Sequence, residues 1–113
     1  MFDHLISYRV SDLLFSAKIE EAAKKASASY ERIDSINELP TKLQKSSVLI
    51  VCDLTKTKPD LRDLTNVAKE NGWRIIGYYP HIDKETETLA HALGVDYVIP
   101  RSAFQYKLIA LLS

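Results

Sequence analysis

Short apolar runs alternate with helix-period patterns from one end of the chain to the other, and this alternation limits the possible folds more than any other feature. The clearest run is Val48-Leu49-Ile50-Val51 within Ser47 to Cys52, an unbroken aliphatic stretch of the kind that fills a central parallel strand covered on both faces. Leu5 to Val10 reads as a first strand. Ser29 to Asp34 reads as a weaker second one, placed at a sheet edge because Glu31 and Arg32 interrupt it. Trp73 to Tyr79 and Asp96 to Ile99 supply the fourth and fifth.

The intervening stretches carry helix signals. Asp12 is placed to cap a helix whose apolar side holds Phe15, Ile19, Ala22, Ala23 and Ala26, with Glu20–Lys24 and Glu21–Lys25 pairs on the other side. Pro40 fits only an early helical turn, so a short helix is expected from about Pro40 to Gln44. Asp60 is expected to cap a third helix lined by Leu61, Leu64 and Ala68 and stopped at Asn71-Gly72. Asp83 caps a fourth, with Glu85 and Glu87 near its positive end and Gly94 beyond its last turn. Ser102 is expected to cap a closing helix with Phe104, Leu108, Leu111 and Leu112 on its buried side.

Right-handed crossovers between such elements give an α/β fold of three layers, a parallel five-stranded sheet with helices on both faces. The economical strand order is 2-1-3-4-5. The direction of winding then reverses between strands one and three, and the crevice beyond their C-terminal ends is the expected functional site. Asp12 and Asp53 stand there.

Composition narrows the function classes. One domain spanning 1–113 is expected from a length of 113 residues with 46% apolar content. Fifteen basic residues balance fifteen acidic ones, so no overall field draws the chain to nucleic acid or to an anionic membrane. The longest apolar run is far below the roughly 20 residues of a membrane span. The N-terminus lacks a signal-peptide pattern, and a cytoplasmic location is expected. A single cysteine, Cys52, forms no internal disulfide, and the scattered His4, His81 and His91 form no zinc pattern. Only Gly72, Gly77 and Gly94 occur, each isolated, so there is no glycine-rich phosphate loop.

With Asp12 after the first strand and Asp53 after the third, the chain resembles the receiver domains of response regulators over nearly its whole length. The resemblance implies a flavodoxin-like sheet, a crevice of Ser11, Asp12, Asp53, Tyr78, Pro100 and Arg101, and Asp53 as the candidate phosphoacceptor. It also implies Mg2+ held by Asp12 and Asp53. Several positions depart from the family's pattern. Ser11 stands where the first acid belongs, Tyr78 replaces a small hydroxyl residue, and Pro100 replaces the lysine. Arg101 follows one residue late, and because strand side chains alternate it substitutes for that lysine only if the loop turns it back. Tyr97 matches the aromatic residue that swings inward on activation. The stretches Val10 to Ser16, Tyr79 to Asp83 and Ile99 to Ser102 are also similar to those of stand-alone receiver-like proteins of prokaryotes.

Each candidate has a plainer explanation beside the functional one. Asp53 can be a strand-ending turn residue, and Asp12 a helix cap that needs no metal. Tyr78, Tyr79 and Pro80 can close an unused pocket or grip a ligand. His81 could carry a proton but lacks an accompanying nucleophile, and Cys52 suits an inert core position. Tyr97, Tyr106 and Lys107 mark an interaction face, since by resemblance the fourth helix, fifth strand and closing helix dock a protein partner or a second copy as a homodimer. The first functional expectation is a regulatory module of a two-component type that binds a protein without phosphoryl transfer and has no enzyme activity. A working magnesium-dependent phosphoacceptor and a small-molecule sensor at the crevice are the alternatives.

Overall fold

In the computed structural model, which describes residues 2–39 and 47–113, five parallel strands form one sheet in the order β2-β1-β3-β4-β5. The strands are β1 (His4–Tyr8), β2 (Ser29–Ile33), β3 (Val48–Asp53), β4 (Arg74–Tyr79) and β5 (Tyr97–Pro100). β3 lies between β1 and β4, with Ile50 opposite both Ile6 and Ile75, which explains why its sequence is apolar throughout. β2 is an edge, as its interrupted pattern requires.

Alternation along the strands divides the core in two. Leu5, Leu49, Val51, Ile76 and Tyr78 meet Ile19 and Ala23 of α1 (Leu13–Lys25) and Phe104, Leu108 and Leu112 of a closing helix. Ile6, Tyr8, Ile50, Cys52, Ile75 and Tyr79 face the other way. They meet Leu54 of the single-turn α2 (Leu54–Thr57), Leu61, Leu64 and Ala68 of α3 (Leu61–Asn71), and Ala90 of α4 (Lys84–Ala92). The closing helix is α5 (Phe104–Leu112). Each fully buried aliphatic side chain contributes about 1.5–3 kcal/mol, so these two layers hold the sheet's C-terminal edge in place.

Helix ends follow local chemistry where nothing competes for the capping group. Asp12 accepts from the backbone N–H groups of Leu14 and Phe15 at 2.9 and 3.2 Å, and Asp83 from that of Thr86 at 3.2 Å. Gly72 takes a left-handed conformation, φ 70°, that ends α3. Glu20–Lys24 and Glu21–Lys25 form ion pairs on the exposed side of α1.

Two expected caps are absent. Asp60 makes no capping bond to α3, because its carboxylate accepts the Tyr8 hydroxyl and lies 3.5 Å from the Arg9 guanidinium. Ser102 falls inside a 3-10 turn, Arg101–Ala103, and α5 begins at Phe104 without a side-chain cap. Asp53 instead caps α2, a turn too short to carry a periodic apolar signal, by accepting from the N–H groups of Thr55 and Lys56. After β2 the chain makes a 3-10 turn at Ile36–Glu38, and the helix expected at Pro40 to Gln44 lies outside the described residues.

Candidate functional site

The crevice beyond β1 and β3 is assembled by helix capping. Asp12 and Asp53 each end an extended segment and turn one carboxylate oxygen, Oδ1, onto the first N–H groups of α1 and α2. Their environments push them in opposite directions. The Phe15 N–H bond and, after it, the Arg101 guanidinium hold the Asp12 carboxyl below the usual aspartate range. Burial raises that of Asp53 and outweighs the bonds from Lys56 and Thr55.

Arg101 is turned back by the 3-10 turn that follows β5, and its Nη2 donates to Oδ2 of Asp12 in a close ion pair. The guanidinium carbon lies 4.4 Å from the Phe15 ring centroid and 5.9 Å from that of Tyr78. A flat cation over two aromatic rings and against a carboxylate is held on several sides.

Tyr78 lies opposite Asp53 in the sheet register and is 1% exposed. Its ring packs 4.8 Å from both Phe15 and Phe104, and those two stack at 5.5 Å. Among the described residues the hydroxyl has no hydrogen-bond partner. Burial, reinforced by the Asp53 charge, drives its pKa well above the ordinary phenol value. Tyr78 therefore fills the floor of the crevice. Tyr79 points to the opposite face and donates to Glu87 Oε2 at 2.6 Å, so the two tyrosines form no joint aromatic edge.

The structure thus unites Asp12, Asp53, Tyr78 and Arg101. Pro100 ends β5 beside Tyr79. Ser11 opens onto a separate depression of about 300 Å³, shared with Arg9, Asp34 and Lys56. Phe15, Pro80, His81, Arg101 and Ser102 line another of about 440 Å³. Cys52 is fully buried in the core layer packed on α2 and α3, and burial pushes its thiol up to about 12. The Lys107 ammonium lies 5.5 Å from the half-buried Tyr97 ring, and Tyr106 is 84% exposed.

Sequence reading missed the cluster of Tyr8, Arg9 and Asp60 beside the crevice. Arg9 takes a left-handed backbone, φ 52°, and its Nε donates to the Asp34 carbonyl at 3.1 Å. A non-glycine residue in that region is a signal only once the backbone is known. The Tyr8–Asp60 contact joins positions 52 residues apart with no pattern between them.

A hard divalent ion takes about six oxygen ligands, several of them carboxylate. Here each aspartate has given one oxygen to a helix, and Asp12 has given its other to Arg101. Among the described residues, no three His, Cys, Asp or Glu side chains gather in a group that could hold a metal ion. As arranged, this donor set fits magnesium poorly. Among the same residues no helix is long and apolar enough to cross a membrane.

Comparison with known proteins bears on the fold. No protein-family model matches the sequence, and no curated protein does. A response regulator from Thermotoga maritima, known from its crystal structure, superposes with a TM-score of 0.69 over 97% of this chain and 99% of that one, at 14% identity. The shared strand order and near-complete coverage show that this chain has a receiver-like α/β fold, similar to that of a response regulator.

Proposed function

We propose that the protein is a receiver-like signalling module that acts by binding another protein, without phosphoryl transfer. The observation that carries this reading is the pairing of Arg101 with Asp12 over a crevice floored by the Tyr78 ring. An acyl phosphate on Asp53 would need a divalent ion and several positive donors to neutralise it. Arg101 is already committed to Asp12, and a buried phenol occupies the place of a small hydroxyl.

The face for a partner is the one that carries Tyr97, Tyr106 and Lys107. Tyr106 projects into solvent from α5, and Lys107 lies over the Tyr97 ring, giving an aromatic and cationic surface suited to an acidic partner. Lys107→Glu should abolish capture of such a partner, and Asp53→Asn should leave it unchanged.

One observation favours a second reading, Asp53 as a working phosphoacceptor. Arg101 does return to the crevice, where the Asp53 carboxylate feels its charge. The two readings separate on incubation with magnesium and beryllofluoride, a mimic of the phosphoryl group. The first expects no chemical-shift change at Asp53 and no mass gain with a small phosphoryl donor. A stoichiometric response would refute it.

A further inference from the structure

We infer that Arg101 is the resident cation of this crevice and closes it to divalent metal ions. The inference rests on the reading of the crevice as one that does not transfer phosphate, and it adds the physical agent. Oδ2 of Asp12, the oxygen not used in capping α1, faces the guanidinium. Besides the ion pair, the guanidinium rests on Phe15 at 4.4 Å and lies 5.9 Å from Tyr78.

Phe15 belongs to the helix that Asp12 caps, and Tyr78 lies opposite Asp53. The rings that seat Arg101 are therefore tied to both carboxylates. The fully buried Tyr78 flanks the guanidinium, and the ion pair with Asp12 holds the cation over that carboxylate. Of the four carboxylate oxygens of Asp12 and Asp53, only Oδ2 of Asp53 is then left without a hydrogen bond among the described residues, and one oxygen does not hold a hard divalent ion.

Charge adds to geometry. A fixed unit charge about 5 Å from a divalent ion in a water-like dielectric weakens its binding by roughly tenfold to twentyfold. Release of Oδ2 of Asp12 supplies a second ligand in addition. Loss of the guanidinium should therefore create a metal site where the native chain has none.

Manganese provides the test, because its paramagnetism broadens the NMR signals of nearby amides. The native protein should show no localised broadening at Asp12 to Phe15 or Asp53 to Lys56 under millimolar manganese. Arg101→Gln should acquire localised broadening there, with an affinity gain of roughly tenfold or more. Adding Asp53→Asn should remove it.

Arg101→Met retains an apolar stem over Phe15 and serves as the second variant if the glutamine protein folds poorly. Localised broadening in the native protein overturns the inference, whatever the variants do. Folded variants no more responsive than the native protein overturn it too, while the proposed function stands. A native protein that binds manganese and also takes beryllofluoride overturns both. If it binds manganese but refuses beryllofluoride, only the inference fails.

Discussion

Gly77 is the point where a single methyl group should disturb the base of the crevice. A Cβ added there would lie 2.4 Å from both Cγ and Cδ2 of Leu54, whereas carbon atoms in contact prefer about 3.5–4.0 Å. Leu54 is fully buried in the core layer and directly follows Asp53, so moving it displaces close-packed neighbours. Overpacking of this kind costs about 1–3 kcal/mol. The smaller unfolded-state entropy of alanine returns about 0.4–1 kcal/mol. Taking the overpacking near its upper end leaves a net loss of about 2 kcal/mol for Gly77→Ala. With an unfolding entropy of about 2.1 cal/mol/K per residue, a chain of 113 residues should melt about 8 °C lower.

The companion change identifies the cause. Leu54→Ala alone should cost about 2–5 kcal/mol through lost burial and a cavity. In that background the Gly77→Ala methyl has room, and its effect should become neutral or stabilising by about 0.4–1 kcal/mol. The pair should therefore depart from additivity by about 2 kcal/mol or more. Thermal unfolding followed by circular dichroism, with urea melts of all four proteins, measures both quantities. Additive losses, or a Gly77→Ala protein melting within about 2 °C of the parent, would refute the packing argument.

Other expectations follow from the charge and burial of named groups. Burial raises the Asp53 pKa in the folded chain above its unfolded value, so the ionised carboxylate opposes folding at neutral pH and the penalty disappears below the unfolded value. Asp53→Asn retains a capping oxygen and should raise Tm at pH 7, with the gain fading as pH falls through the aspartate range; a gain independent of pH would contradict this. Tyr8→Phe removes the hydroxyl bonded to Asp60, whose Oδ1 is already buried without a partner among the described residues, and should cost about 1–3 kcal/mol in urea unfolding. The Cys52 thiol, raised to about 12 by burial, should not react with an aromatic disulfide reagent at pH 8 until the chain unfolds. Rapid labelling of the native protein would show that the strand opens.

The fold was largely legible because its signals are local and repeated. The aliphatic run at Val48–Val51 requires cover on both faces, and Glu31 and Arg32 place β2 at an edge. Asp12, Gly72 and Asp83 act where they stand in sequence, since each bonds to backbone within a few residues. The candidate site was legible only as a location. Asp60 was expected to cap α3, yet a hydroxyl from β1 and a guanidinium beside it claim that carboxylate. Ser102 carries a capping side chain, but the 3-10 turn moves the start of α5 past it.

By itself, the sequence determined that strands and helices alternate, which strand is central, and which end of the sheet gathers Asp12 and Asp53. These depend on side-chain period and on the fixed hand of the chain, which neighbouring residues already specify. Only the tertiary structure decided that Arg101 turns back onto Asp12, that Tyr78 fills the floor while Tyr79 serves the other face, and that Tyr8 reaches Asp60. Arg101 and Asp12 are 89 positions apart, and their contact exists only because the packed sheet brings two distant loops to the same edge.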